Sequence, residues 1–326
     1  MILNFKKPFP LIFLSFSLCF SSCGPEYPMP DEAKENDSDN LSRNAKEGSH
    51  VLDDGSTYEG HLVKGIPEGY GTKDFPDGNI YQGQFEKGLP HGHGIMRYKS
   101  IEGLERYFGN WSNGKRAGFG TLILTDGSQY TGEWIKDELL YGKFESMDGS
   151  KYFGKWARGI LIEGVFSSST GESFTGLFNE TGEYLEGSLV LPSGTRFHGT
   201  FRDGKYHGIG ILEDVNSELY LGGFINGDRS GTGVMVDIDG SKYFGEFASS
   251  LPNGYGVQKD KSGVTYSGSW LLGQREGEGK LLFGDTSSFV GFFKSGLAKD
   301  GTYFWTDGST THSYQDENGE WQDFEE

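Results

Sequence analysis

The 326-residue sequence predicts an all-β protein, an elongated array of about eleven β-hairpins with no globular core. Three observations lead to this fold class. Glycine occurs 53 times and aromatic residues make up 15% of the chain, a composition typical of short strands joined by tight turns. An aromatic-x-glycine motif returns at nearly constant spacing, which indicates a repeat architecture. Asp-Gly pairs, which favour hairpin turns, separate many of the apolar stretches.

The repeated motif is an aromatic residue, any residue and then glycine. It opens eleven units whose successive starts are 23, 26, 23, 22, 22, 23, 23, 23, 23 and 23 residues apart. In each unit the aromatic residue and the glycine share one face of a strand. These repeat-defining residues are Tyr58, Gly60, Tyr81, Gly83, Tyr107, Gly109, Tyr130, Gly132, Tyr152, Gly154, Phe174, Gly176, Phe197, Gly199, Tyr220, Gly222, Tyr243, Gly245, Tyr266, Gly268, Phe289 and Gly291.

Each unit continues in the same way after its first glycine. Two residues later comes a second apolar or aromatic residue, such as Phe85 or Trp111, on the same strand face. A turn and a Gly-x-Gly segment then lead into a second strand, where Lys73 and Gln258 break the apolar pattern. Asp-Gly pairs end many units and predict hairpin turns, because both central residues can take positive φ. Stacked hairpins of this kind predict a twisted antiparallel sheet or solenoid.

This pattern resembles the MORN repeat, the membrane occupation and recognition nexus. Two segments match its middle part, His91-Gly92-His93-Gly94 and His207-Gly208-Ile209-Gly210. The resemblance covers residues 51–311 and implies a MORN-type array that serves in scaffolding or membrane association. The second halves of the fourth to sixth units depart from the pattern, so we expect altered turns between residues 140 and 195.

The N-terminus reads as an export signal. Lys6 and Lys7 precede a short apolar stretch, which is too short to span a membrane and predicts a signal peptide over residues 1–22. Ser21, Ser22 and Cys23 resemble a bacterial lipobox, although Phe20 stands where leucine is commonest. The resemblance implies that Cys23 is lipidated. The alternative is an ordinary cleaved signal peptide in which Cys23 has no role.

Lipidation would place the protein in the bacterial cell envelope, with the membrane as its first partner through the N-terminal lipid. The outer membrane is favoured over the inner one, because Gly24 follows the cysteine and no aspartate marks inner-membrane retention. Residues 23–50 are expected to form the lipidated cysteine and a disordered acidic tether. Residues 312–326 are expected to form an acidic C-terminal tail, whose charge discourages aggregation at the sheet edge.

Charge and motifs narrow the function classes. A net charge of −18 makes nucleic acid a poor partner. His91 and His93 could share a strand face and hold a metal, but His91 stands where the repeat itself prefers histidine, so we expect no metal site. Turn chemistry explains the Asp-Gly pairs without calcium. No hydrolase, metalloprotease or nucleotide-binding motif is present in the sequence, so we expect no enzyme activity and no cofactor.

Two functions remain open from the sequence. The first is a lipid-anchored scaffold whose repeats bind one or more unidentified proteins, since a repeat array offers a long and variable surface. The alternative is a repeat protein that binds envelope glycans or cell wall, with its rows of aromatic rings as stacking platforms. Regular aromatic residues in a repeat more often form a core, which favours the scaffold.

Overall fold

The computed structural model describes residues 48–216 and 218–324, which belong to the unit Lys46–Glu326. They form one open sheet and contain no helix, so none of them provides a helix that could span a membrane. The signal peptide, Cys23 and nearly all of the expected tether lie outside the described residues. The 25 strands are β1 (Ser49–Val51), β2 (Thr57–Val63), β3 (Ile66–Asp74), β4 (Ile80–Glu86), β5 (Leu89–Arg97), β6 (Leu104–Ser112), β7 (Lys115–Leu124), β8 (Gln129–Ile135), β9 (Glu138–Glu145), β10 (Lys151–Ala157), β11 (Ile160–Ser167), β12 (Ser173–Phe178), β13 (Tyr184–Val190), β14 (Arg196–Arg202), β15 (Lys205–Glu213), β16 (Leu219–Ile225), β17 (Asp228–Val236), β18 (Lys242–Ala248), β19 (Leu251–Lys259), β20 (Thr265–Leu271), β21 (Gln274–Leu282), β22 (Ser288–Lys294), β23 (Leu297–Phe304), β24 (Thr310–Gln315) and β25 (Trp321–Asp323).

Every strand pairs antiparallel with its neighbours in the sequence, so the sheet is a continuous meander from β1 to β25. Each predicted unit is one hairpin, such as β2–β3 or β4–β5. The all-β repeat array predicted from the sequence is therefore confirmed.

One glycine from each strand between β2 and β23 lies directly opposite a glycine of the next strand. Gly60 faces Gly71, Gly71 faces Gly83, and Gly83 faces Gly94. The same register continues through every later pair and ends where Gly291 faces Gly301. We call this row, which crosses the sheet at right angles to its strands, the glycine ladder.

The aromatic rings that open the regular units lie on the glycine ladder. A Cβ added at Gly71 would come within 2.6 Å of the Tyr58 ring, and one added at Gly279 would come within 2.5 Å of the Tyr266 ring. The tyrosine hydroxyl reaches past the glycine and donates to the backbone carbonyl three residues further on, as from Tyr81 to Gln84 at 3.0 Å. The ring thus buries its apolar surface and satisfies its polar end.

The second aromatic residue of each unit joins that unit to the one before it. The Phe85 ring stands at 5.0 Å from Tyr81 in its own unit and at 5.1 Å from Tyr58 in the preceding unit, both nearly perpendicular. Where this residue is tryptophan, its indole N–H also donates to a glycine carbonyl, as from Trp134 to Gly120 at 3.0 Å. The core is therefore a row of edge-to-face rings that extends from unit to unit.

The fourth and fifth units pack differently, in the region where the sequence pattern weakens. Tyr130 and Tyr152 are only half-buried, whereas the other nine unit-opening aromatic residues are buried. Phe144 lies opposite both tyrosines in the sheet and stacks on the Tyr130 ring at 4.3 Å. At Gly132 the side chain nearest to an added Cβ is that of the buried Leu139, at 3.0 Å, instead of the tyrosine ring.

Two kinds of turn join the strands, one at each end of the strands. Within a unit, two-residue turns such as Asn113-Gly114 have positive φ at both residues, the conformation that suits the twist of a hairpin. Between units, the Asp-Gly pairs lie in three-residue loops where only the glycine has positive φ. In one such loop Gly127 donates to the Leu124 carbonyl, and the Asp126 carboxylate accepts from the Ser128 backbone N–H at 2.8 Å. The prediction of positive φ at both residues of the Asp-Gly turns is thus wrong. The aspartate keeps a negative φ, and its carboxylate accepts a hydrogen bond from the backbone N–H of the serine two residues later.

The sheet continues beyond the predicted end of the repeats. β24 and β25 lie mostly within residues 312–326, which the sequence assigned to an acidic tail. Trp321 of β25 packs at 5.0 Å from Phe289 and at 5.1 Å from Tyr303. The apolar tryptophan thus covers the last ring of the core, a role that the acidic composition of the segment obscures.

At the other end, an ion pair replaces an apolar core contact. Lys73, one of the two residues that break the sequence pattern, is buried opposite Tyr58, and its ammonium donates to the Asp54 carboxylate at 2.8 Å. The hydrogen bond from Lys73, supported by Ser56, holds the pKa of Asp54 well below its usual range. Lys73 takes the place opposite the unit-opening tyrosine that Met96 and Leu122 hold in the next two units, and the pair with Asp54 satisfies its buried ammonium.

The glycine ladder predicts that alanine destabilises the protein far more at a ladder glycine than at a glycine outside the ladder. A Cβ at Gly94 would overlap the Tyr81 ring, so we expect Gly94→Ala to lower the free energy of unfolding by about 3 kcal/mol. Urea-induced unfolding measures this loss. Gly284 has open space around it, and the same change there serves as the control with an effect below about 1 kcal/mol. Equal effects at the two sites would contradict the packing of the ring on the ladder.

The Asp54–Lys73 pair predicts a pH-dependent contribution to stability. Because folding lowers the pKa of Asp54, its stabilising effect is fully present above the ordinary aspartate pKa of about 3.9 and is lost as the pH falls toward the folded value. We therefore expect Asp54→Asn to lower the urea midpoint at pH 7 and the gap from wild type to shrink at pH 3. Asp53→Asn, which changes an exposed neighbour, is the control. A gap that does not change with pH would contradict the assignment.

Candidate interaction surface

Apart from Tyr130 and Tyr152, which are half-buried, the repeat-defining aromatic residues predicted from the sequence lie in the core of the sheet. Tyr58, Tyr81 and the other regular ring positions have their side chains under the next unit, and their glycines form the ladder beneath them. They determine the fold and are not presented to a partner. The glycan-binding alternative depended on these rings as platforms, and their burial does not favour it.

The opposite face of the sheet carries the residues that alternate with the core positions. On four consecutive strands, β15 to β18, these residues are apolar and lie opposite one another in register. We call them the apolar row; they are Ile211, Leu221, Val234 and Phe244. Their exposed fractions are 42%, 47%, 38% and 57%, and Val257 of β19 continues the row opposite Phe244.

The apolar row has a distinct margin on each side. Lys242 and Lys259 face each other across β18 and β19, next to Phe244 and Val257. Within residues 48–216 and 218–324, neither lysine forms an ion pair. Tyr255, which is 59% exposed, lies on the other side. The surface is therefore apolar at its centre and locally basic at one margin, in a chain of net charge −18.

A second exposed feature lies on the core face between β10 and β13. The rings of Tyr152, Phe166, Phe178 and Tyr184 line a shallow groove of ≈ 310 Å³. The Tyr184 hydroxyl donates to the Glu172 carboxylate at 2.6 Å. Burial and this carboxylate raise the pKa of Tyr184, so its hydroxyl stays protonated and remains a donor. We call these four rings with Glu172 the aromatic groove.

The other candidate site residues separate into different places. The His91 ring contacts the Glu86 carboxylate at 3.3 Å, and the backbone N–H of His93 donates to the side-chain oxygen of Gln84 at 2.9 Å. In the part of the chain that the structure describes, no group of three or more histidine, cysteine, aspartate or glutamate side chains could hold a metal ion. The predicted lipidation site, Cys23, lies outside the described residues.

Sequence reasoning missed both surface features. The apolar row could have been found by reading the middle residue of the aromatic-x-glycine motif, which is apolar at Leu221 and Phe244 in two consecutive units. The sequence signal for the aromatic groove was weaker. Its rings belong to the fifth and sixth units, where the second strand departs from the repeat pattern.

Two solved structures show a distant similarity to this chain. The SAS-4 TCP domain of Drosophila melanogaster, in complex with a proline-rich motif of Ana2, is 9% identical, covers 53% of this chain and 88% of that chain, and has a TM-score of 0.31. The TCP10 domain of Danio rerio CPAP with a STIL peptide is 10% identical, covers 85% and 98%, and has a TM-score of 0.29. Scores this low support no statement about function. Comparison with curated proteins gives no significant match.

The family comparison agrees with the geometry of the hairpins. The model of the MORN repeat matches seven stretches, each of which begins at or near a unit-opening aromatic residue. They are residues 58–80, 81–100, 107–129, 197–217, 220–242, 243–265 and 266–288. The stretches fall on both sides of the units in which the rings leave the glycine ladder. The chain therefore contains MORN repeats, arranged in one antiparallel sheet.

Proposed function

We propose that this protein is an interaction scaffold whose MORN-repeat sheet binds a protein partner on the exposed face. The apolar row is the observation that carries the proposal. Four large apolar side chains side by side on neighbouring strands form a contiguous exposed patch, and such patches mark interaction sites. Isolated exposed apolar residues would need no such explanation.

The apolar row is suited to this role because its side chains have little conformational freedom to lose on binding. Ile211 and Val234 are β-branched and have few rotamers, and the core rings hold the strands beneath them in place. A preorganised surface loses little conformational entropy on association, so more of the gain from apolar burial appears as affinity. Lys242 and Lys259 would favour a partner that places carboxylates beside its own apolar contact.

We further propose that the protein is a lipid-anchored component of a bacterial cell envelope, with the outer membrane favoured. The support is the signal-like N-terminus that ends at Cys23 and the polar segment that follows it. In this arrangement the lipid attaches the protein and the repeats recognise the partner. Two or more acyl chains would make the attachment durable, whereas a single chain holds a membrane only marginally.

The anchor predicts that one residue controls membrane association. We expect palmitate labelling and recovery in the membrane fraction for the wild-type protein, and loss of both for Cys23→Ala. Cys19→Ala, which changes the cysteine inside the apolar stretch, is the matched control and should keep both. An unlabelled wild-type protein in the soluble fraction would contradict the anchor without bearing on the exposed face of the sheet.

The scaffold predicts that the apolar row selects partners. We expect the double variant Leu221→Ser, Phe244→Ser to lose the partner that crosslinks to the wild-type protein, because the central apolar contact is removed. Thermal unfolding should change little, since both side chains are about half exposed. Ile238→Ser, at a loop residue that is 70% exposed, is the control. Retention of every crosslinked partner by the double variant would contradict this surface.

A further inference from the structure

We propose that the aromatic groove binds an arginine side chain of a partner protein. This site goes beyond the scaffold proposal, because it lies on the core face of the sheet, opposite to the face that carries the apolar row. The proposal rests on a comparison between units of the same chain. Some units cover their aromatic rings with an arginine of their own, and the groove lacks one.

Three regular units show what a guanidinium does on this face. Arg229 lies over the Tyr220 ring at 5.2 Å, and Arg275 lies over the Tyr266 ring at 5.1 Å. Arg116 lies 4.5 Å from the Trp134 ring of the following unit. Each arginine comes from the second strand of its hairpin and closes the space above the core rings. Such contacts gain from both the ring quadrupole and the apolar stacking.

The unit of β16 and β17 adds a carboxylate to this arrangement. Glu218 stands two residues before Tyr220 and forms an ion pair with Arg229, and both side chains are largely buried. Arg229 lies opposite Phe224 in the hairpin register. Carboxylate, guanidinium and aromatic ring thus form one closed cluster in which the positive charge is satisfied within the chain.

The unit of β12 and β13 has the carboxylate and the rings but not the cation. Glu172 stands two residues before Phe174, as Glu218 does before Tyr220. Tyr184 lies opposite Phe178, the place that Arg229 takes opposite Phe224, and its hydroxyl donates to Glu172. Among the described residues, Glu172 has no cationic partner.

The rings around Glu172 are correspondingly open. Tyr152, Phe166 and Tyr184 are only half-buried, and no arginine or lysine of the described residues lies over them. The Tyr152 and Phe166 rings are 4.8 Å apart and tilted by 43°, and both line the groove. A guanidinium stacked on the groove side of these rings would lie near Tyr184, whose hydroxyl donates to the Glu172 carboxylate at 2.6 Å.

Charge and geometry together favour arginine as the occupant. The planar guanidinium stacks on rings and binds a carboxylate through two N–H groups, whereas an ammonium is a compact and strongly hydrated charge. The net charge of −18 draws a basic segment toward the sheet, and the groove then positions one side chain of that segment. The partner is therefore expected to present an exposed arginine on an extended or loop segment.

The test measures binding of a blocked peptide with one arginine among glycines and serines to the full-length protein at low salt. Ligand-observed NMR titration suits the weak affinity expected for one side chain. The comparison peptide carries citrulline, which keeps the shape and removes the charge. Glu172→Gln removes the carboxylate charge but leaves an oxygen for the Tyr184 hydroxyl, and Phe166→Leu removes one ring. Glu278→Gln, at an exposed carboxylate of β21, is the matched control.

We expect the arginine peptide to bind the wild-type protein and Glu278→Gln alike, and to bind Glu172→Gln about tenfold more weakly. Phe166→Leu should also weaken binding, and it decides the outcome where thermal unfolding finds Glu172→Gln misfolded. The proposal is overturned if the citrulline peptide binds equally well, or if binding falls equally in Glu172→Gln and Glu278→Gln. Absence of binding to the wild-type protein overturns it as well. None of these outcomes bears on the apolar row.

Discussion

The close approach of two glycines beneath an aromatic ring determines the geometry of every regular unit. The ring can lie flat on the backbone only where neither strand has a Cβ, and the tyrosine hydroxyl can then reach the carbonyl beyond. Once the ring lies there, its exposed edge becomes the docking site for the second aromatic residue of the next unit. The glycine ladder is thus the cause of the ring packing, and the spacing of the repeats follows from it.

Because the rings occupy one face, the other face is free to vary. The exposed positions differ from unit to unit, and only on β15 to β18 do they form a continuous row of large apolar residues. On the core face, variation arises where the ring leaves the ladder, and there it produces the aromatic groove. The regular units supply a constant frame, and the departures from regularity supply the candidate binding features.

Much of this fold could be predicted from the sequence, since the aromatic-x-glycine spacing reports directly on strand periodicity. The pairing of glycines, the hairpin in each unit and the departure near Tyr130 and Tyr152 follow from that pattern. The turn chemistry at Asp126 and the role of Trp321 could not be predicted in the same way. The first depends on a hydrogen bond to Ser128, and the second on apolar packing within an acidic segment. The arginine-covered rings were missed because the pairs form across strands, between residues such as Glu218 and Arg229 that the motif does not link.

The strictly sequential pairing of the strands has a consequence for how the chain folds. Every hydrogen-bonded neighbour of a strand comes from the adjacent segment of sequence, so the sheet can form without closing long loops. Low contact order favours rapid folding, and nucleation can begin in any regular hairpin and spread in both directions. The units between β8 and β11, where the rings lie off the ladder, are the natural boundary at which such growth would slow. The array would then unfold as two cooperative segments separated by less stable units. Local opening would be most frequent near the aromatic groove.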